Sequence, residues 1–513
     1  MISLILTSLL LFLLYFIPLK QFDYWKKRNV KCDPPIPIFG NHYQNIVGIK
    51  SIVEIAEELY KKYPQEKVVG YYRGRTPTLI IRDLDIVKNV LNVHFAYFYP
   101  RGIGRNPKLE PLFMNLFHVD GDTWKLARKR LTAAFTTAKL KSMFPLIVNC
   151  AEKLHVVGEK IVINGGEFDA REIMARFTTE FIGACGFGID MDSINNEHSL
   201  FRELGKQMFS RSSINRIVVA FIELFPELRN VIYNPEYEVH DKIAQIFTNI
   251  RDQRHGKSSG RNDFIDLLLD LETKGKIYGE SVENFKEDGT PVMVELEMDM
   301  NFMVAQVFVF FGAGFETSSF ASSYTLHQLA FHPEIQNDIQ DEVDKVLLKY
   351  DNKLCYDAVA QMPLLAMAFK EAMRMFPSPG ALHRVCAKRY TIEDLGITID
   401  PGVKIIIPIQ AIHNDEKYFE RPTEFRPERF STNKEEIHKY AYLPFGEGPR
   451  ACIGARLGEM QSLAGLAAIL HKFTVEPSSS TKRELKVNPI MNTVQGIIGG
   501  LPLRLKLRKK IIN

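Results

Sequence analysis

The stretch PFGEGPRACIGARLG, residues 444–458, constrains this chain more than any other. Glycines on both sides of Cys452 let the backbone approach something flat and close. From Ala455 onward the pattern ARLGEMQSLAGLAAILHKF predicts a helix, so Cys452 lies just ahead of a helix N-terminus. That end carries partial positive charge and unpaired N–H groups, which favour a thiolate and would tune a metal bound to it. A lone Cys in a glycine-rich turn is ordinarily structural, and four-ligand zinc needs partners that this stretch lacks. The joint placement of Phe445, Gly446, Gly448, Arg450, Cys452 and Gly454 points instead to a single proximal ligand on haem iron.

The other five cysteines (Cys32, Cys150, Cys185, Cys355 and Cys386) are scattered, with no CxxC pair, which suits thiols in a reducing cytosol. Residues 2–19, ISLILTSLLLFLLYFIPL, carry no charge and are just long enough to span a bilayer. Lys20, Lys26, Lys27, Arg28 and Lys31 follow this transmembrane signal-anchor and no basic residue precedes it, so the positive-inside bias leaves the downstream chain in the cytosol. A cleaved signal peptide would end in small residues, but Tyr15, Phe16 and Pro18 stand there. Residues 20–41 then read as a basic stop-transfer and a stiff proline-rich connector, and residues 42–513 as the catalytic domain. The expected location is the endoplasmic reticulum membrane, with that domain on its cytosolic face. A net charge of +4 without a dense Lys/Arg stripe argues against nucleic acid as a partner.

Helical periodicity dominates the rest. SIVEIAEELYKKY, residues 51–63, has apolar residues recurring at three and four behind a Ser suited to an N-cap. REIMARFTTEFIGACGFG and IQNDIQDEVDKVLLKY read the same way. Residues 67–83 predict a β-hairpin, and GITIDPGVKIIIPI, residues 396–409, a second one around Asp400-Pro401-Gly402. A last strand pair is expected within TVQGIIGGLPLRLKLRK, residues 493–509. RDQRHGKSSGRND and KEDGTPV read as loops with helices on both sides. The fold class expected is mainly α with small β-sheets, in one large domain.

These landmarks resemble the cytochrome P450 family of haem-thiolate monooxygenases. FGEGPRACIG is similar to that family's haem-binding loop, and its other landmarks follow in order from Pro34 to the terminal strands. FFGAGFETSS and FGEGPRACIG together are most like the microsomal, xenobiotic-oxidising branch common in insects. The resemblance implies the cytochrome P450 fold behind one N-terminal transmembrane helix. It implies haem b held by Cys452 as axial iron ligand, with Phe445, Gly454 and Ala313 against the cofactor.

In the family, the stretch GAGFETSS, residues 312–319, lies midway along a helix that crosses the distal face of the haem; here that helix is residues 300–332, ending before Pro333. Activating dioxygen there requires electrons and protons. Glycine would let the helix open locally, and Thr317 would bond its hydroxyl to a carbonyl one turn earlier, near Ala313. Thr317 would then steady bound oxygen while Glu316 passes protons from solvent. The rival reading, a dinucleotide-binding Gly-x-Gly turn after the apolar run VFVFF, is incomplete, because Thr317 stands where the third glycine belongs.

FKEAMR places Glu371 and Arg374 one helical turn apart, a spacing usually found in solvated surface pairs. With Arg429 of RPERF, the resemblance implies a buried structural network behind the cysteine loop. Trp124 and Arg128, at i and i+4 in DTWKLARKRLTAAF, both suit a haem propionate, although a plain basic amphipathic helix also explains them. The family adds Arg384 and Arg450 to that clamp. Lys125, Lys129 and Lys139 would face outward towards an acidic redox partner.

No flavin domain or complete nucleotide fingerprint is left over, so electrons must come from another protein. The family implies NADPH–cytochrome P450 reductase and, as a second donor, cytochrome b5, with NADPH acting only through the reductase. Phe117, Phe308, Val309, Pro379 and Leu382 fall where the family lines its pocket, and such a lining suits a lipophilic substrate. INRIVVAFIELFP, residues 214–226, would dip into the membrane beside the anchor or end a core helix. Two other classes remain: a haem-thiolate isomerase or dehydratase, and a non-catalytic haem-containing ligand binder. The intact Glu316–Thr317 pair argues against both.

Overall fold

The computed structural model describes residues 21–508 other than 105, 190, 210–212, 226, 229–236, 262, 433–435 and 491–493. The anchor expected at residues 2–19 lies outside the described residues. The principal helices are α1 (Ile52–Lys62), α2 (Gly121–Leu131), α3 (Thr137–Ile163), α4 (Ala170–Ile182), α5 (Ser213–Leu224), α6 (Met300–Phe331), α7 (Pro333–Leu348), α8 (Pro363–Met375) and α9 (Ala455–Lys472). The strands are β1 (Val68–Arg73), β2 (Thr76–Ile81), β3 (Glu167–Asp169), β4 (Lys276–Phe285), β5 (Pro291–Glu297), β6 (Leu382–Val385), β7 (Tyr390–Ile392), β8 (Ile397–Ile399), β9 (Lys404–Ile407), β10 (Phe473–Pro477) and β11 (Pro502–Leu507). The fold is mainly α with small sheets.

Local chemistry sets the element ends. Ser51 caps α1 through a reciprocal box with Glu54, each side chain bonding the other's backbone N–H. Asp299 caps α6 by accepting from Phe302 N–H, and His332-Pro333 stops it, since proline cannot continue the ladder. By length and composition α6 is long and apolar enough to cross a membrane. It is instead the central helix of the main core, buried from Phe302 to Val307 and from Ser318 to Ala330.

One four-stranded sheet, in the order β1-β2-β9-β6, separates two smaller cores. Alternation along β1 sends Val68 and Tyr72 to one core with Trp25, and Val69 and Tyr71 to the other with Ile52 and Ala56. Trp25 is buried and its indole N–H donates to the Tyr71 carbonyl at 3.0 Å. Residues 21–41 thus pack along this sheet, with Gly40 bridged to Arg73 and Cys32 to Gly70.

Three strand expectations are corrected. β8 and β9 flank the expected turn but do not pair with each other: β8 joins β7, while β9, with Ile405, Ile406 and Ile407 all buried, lies between β2 and β6. An apolar run of that kind is buried on both faces and takes neighbours on both edges. β11 forms within the predicted terminal stretch, but its partners are β10 and β3, both upstream of it. KEDGTPV joins two strands rather than two helices, closing the β4–β5 hairpin.

Candidate functional site

The cysteine loop is shaped by close packing. Cys452 N–H donates to the Phe445 carbonyl at 2.9 Å, closing the loop on itself. Gly446 and Gly448 have φ of +69° and +77°, and a Cβ at Gly448 would collide with the Leu91 carbonyl. α9 starts at Ala455, as expected. The Cys452 side chain has free surface, yet burial is the leading influence on its acidity. Arg101 and Arg128 border the space beside the sulfur. Burial pushes the thiol up, while the Gly454 N–H, Arg128 and Arg101 pull it down without prevailing. This corrects the expectation that the helix terminus alone favours a thiolate: desolvation outweighs it. A bound metal cation reverses that balance.

Around this space the chain gathers guanidinium groups. Arg450 stacks 4.1 Å over Trp124 and donates to Asp120 Oδ1 (2.6 Å), the Tyr99 carbonyl (3.0 Å) and the Val119 carbonyl (3.0 Å). Arg101 donates to the carbonyls of Phe117 (2.9 Å) and Arg450 (3.1 Å). Arg384, 2% exposed, gives one bond to the His383 carbonyl, and its Nε is buried with no partner among the described residues. Burial lowers all three: Arg101 to about 10, Arg384 to about 9 and Arg450 to about 8. Mutual repulsion adds to this for Arg384 and Arg450, and Asp120 is the carboxylate that opposes it. Arg128 is lowered by burial as well, with the Cys452 sulfur opposing. A ligand bearing two carboxylates would restore balance and satisfy the orphaned Arg384 Nε. The residues present fit haem. Arg101 and Asp120 belong to this site but were missed in the sequence, where no spacing signal links them to positions more than 300 residues away.

The other wall is α6. Val309, Ala313 and Thr317, four residues apart, form a partly open stripe on a helix otherwise largely buried. Thr317 Oγ1 donates to the Ala313 carbonyl at 2.8 Å. Gln461 of α9 donates to the Gly314 carbonyl and Thr178 of α4 to the Phe315 carbonyl, both at 2.9 Å. The helix does not open at its glycines; it runs uninterrupted from Met300 to Phe331. The glycines serve packing: a Cβ at Gly312 would lie 2.7 Å from Met208 Cε, and one at Gly314 would collide with Ile182. Glu316 is buried and pairs with Arg171 of α4.

Glu371, Arg374 and Arg429 meet behind the loop, the first two with no exposed side-chain surface and Arg429 with 9%. Arg374 also donates to the His413 carbonyl at 2.7 Å, and His413 Nε2 accepts from Leu443 N–H at 2.9 Å, just before the cysteine loop. Among the pocket candidates, Phe117 lies 4.5 Å beneath the Arg101 guanidinium and Leu382 faces Gly446. Phe308, Val309 and Pro379 are half-buried. Lys125 is drawn to the hairpin, 3.9 Å from Glu280; Lys129 is exposed and Lys139 half-buried.

A cysteine before a helix, set among buried arginines and facing an alcohol-bearing helix, defines a haem-thiolate protein. The chain belongs to the cytochrome P450 family, whose family model matches residues 30–498. It is 37% identical to cytochrome P450 6B6 of Helicoverpa armigera over 513 residues, covering 98% of each chain. It is 36% identical to cytochrome P450 6B2 of the same insect, again over 98% of each. To cytochrome P450 6a2 of Drosophila melanogaster it is 35% identical, over 95% of this chain and 96% of that one. It is a haem-thiolate monooxygenase.

Proposed function

We propose that this enzyme inserts one atom of dioxygen into a lipophilic organic substrate, a xenobiotic or an endogenous lipophile. It works at the endoplasmic reticulum membrane on electrons from NADPH through a separate reductase, with cytochrome b5 as a second donor. The observation that carries the reading is Cys452 just ahead of α9, beside Arg101 and Arg128, with the Arg450–Asp120 ion pair and the buried Arg384 in the same cluster. Cys452 would hold haem b through its iron, and the cofactor would supply reductive activation of dioxygen. Phe445, Gly454 and Ala313 would bound the cofactor, and Trp124, Arg128, Arg384 and Arg450, joined by Arg101, would hold its propionates.

The chain's own residues do the rest. Thr317 presents a hydroxyl on the open stripe, fixed by its bond to Ala313, and Glu316 moves protons inward from the α4–α6 seam. Phe117, Phe308, Val309, Pro379 and Leu382 exclude water and accommodate an apolar substrate. Ile217 and Phe221 of α5, 69% and 43% exposed, support contact with a bilayer through which such a substrate would arrive. Glu371, Arg374 and Arg429 hold the scaffold behind the loop.

Reduced, CO-treated membranes should give the strongly red-shifted Soret band of thiolate ligation, and turnover should require both NADPH and reductase. Cys452→Ser should abolish both. Turnover of peroxides without reductase would favour the isomerase class instead, and haem binding without either activity a ligand carrier.

A further inference from the structure

The carboxylate of Glu316 is tethered at one end only. Its Oε1 accepts from Arg171 Nη2, at the N-terminal turn of α4. Its Oε2 accepts nothing among the described residues and keeps accessible surface. Glu371, the buried acid of the structural network, offers the contrast: both of its oxygens are bonded, to Arg374, Arg429 and the Arg426 N–H. A purely structural carboxylate at such depth has its acceptors filled. Arg171, in turn, keeps 19% of its side-chain surface exposed, so the pair sits where solvent reaches the seam.

The same helix fixes the neighbouring backbone. Thr178 donates to the Phe315 carbonyl at 2.9 Å, and Ile182 fills the space beside Gly314. α4 therefore sets the position of residues 314–316 along α6, while Thr317 stands with Ala313 on the partly open stripe.

We propose that Arg171 is the positioning residue for proton delivery. It anchors Glu316 through Oε1 and leaves Oε2 as the atom that takes a proton from water and releases it towards Thr317. The inference rests on Glu316 being the proton carrier.

The test uses the haem-loaded enzyme with its reductase, comparing Arg171→Gln and Arg171→Lys in the native and Glu316→Gln backgrounds. The C–O stretch of carbon monoxide on the reduced enzyme is read first, since it senses a distal carboxylate without turnover. Product formed per NADPH and the solvent deuterium isotope effect follow. Arg171→Gln should shift the stretch, lower product per NADPH by about tenfold and alter the isotope effect. Arg171→Lys should recover most of each, and Arg171→Gln should add nothing once Glu316 is Gln. Equal losses in both backgrounds, or the same losses in Thr178→Val, would overturn the tether. So would a silent Arg171→Gln beside an impaired Glu316→Gln. A Glu316→Gln enzyme with native coupling and isotope effect would overturn the underlying reading as well. If Arg171→Gln does not load haem, Arg171→Lys in the two backgrounds makes the same comparison.

Discussion

Substituting Gln for Glu371 strikes the buried network where its donors converge. The carboxylate accepts from Arg374 Nε (2.8 Å), Arg374 Nη2 (2.9 Å), Arg426 N–H (3.0 Å) and Arg429 Nε (3.1 Å). The amide preserves shape but removes the one charge facing two guanidinium groups. Breaking a buried pair on one side costs about 3–5 kcal/mol, because the remaining charge is left uncompensated. Domain stabilities are on the order of 5–15 kcal/mol, so the variant stays folded with a thin margin. The loss falls first on the cysteine loop, since Arg374 reaches it through the His413 carbonyl and His413 through Leu443. Haem-loaded protein should therefore drop by about tenfold or more, each 1.4 kcal/mol being worth a factor of ten. Each molecule that does load should turn over at the native rate. The assay is the ratio of the CO-difference band to total protein, with thermal unfolding alongside. Native loading with unshifted unfolding would refute the reasoning, and so would full loading with slow turnover per haem, which would move Glu371 into the chemistry.

Thr317→Ala should load haem normally but yield at least about tenfold less product per NADPH, the remainder appearing as hydrogen peroxide; coupled turnover in that variant would remove Thr317 from proton handling. Arg384→Leu should raise the unfolding temperature of haem-free protein, since a buried unpaired donor costs about 1–3 kcal/mol, while haem dissociates faster in a transfer assay to apomyoglobin. Acid should weaken the fold through His413, which burial holds neutral down to about pH 3, below the ordinary histidine value of 6.5. The unfolded chain then binds the extra proton first, so stability is intact above pH 6.5 and falls below it by about 1.4 kcal/mol per pH unit, or about 2 kcal/mol by pH 5. His413→Gln should flatten that limb in unfolding curves taken between pH 7 and pH 5.

The features legible in the sequence were those whose cause is local. The Ser51–Glu54 cap, the helix after Gly454 and the Thr317-to-Ala313 bond depend on residues within a turn or two. The cysteine loop was legible because its glycines and its cysteine are contiguous. Strand partners were not, since β9 and β11 choose neighbours far away in the chain according to which edges need covering. Arg171 stayed hidden for the same reason: it lies 145 residues from Glu316 and carries no motif of its own. The glycines of α6 were seen but misread, because their packing against Met208 and Ile182 exists only once the helices cross.

Buried arginine has two opposite meanings in this protein, and the donor count separates them. Arg374 is surrounded by acceptors from its own chain: Glu371 and the carbonyls of His413 and Pro422. Nothing is left for a ligand, so its effect is to hold the scaffold. Arg384 is as deeply placed, yet one nitrogen is bonded to a carbonyl and another has no partner among the described residues. Around it Arg101 and Arg450 add charge that Asp120 only partly offsets. A fold that kept such an imbalance for packing alone would gain by replacing it with apolar side chains of similar volume. The imbalance is instead a preorganised anion site, and its cost to the empty protein is recovered when a ligand's carboxylates arrive.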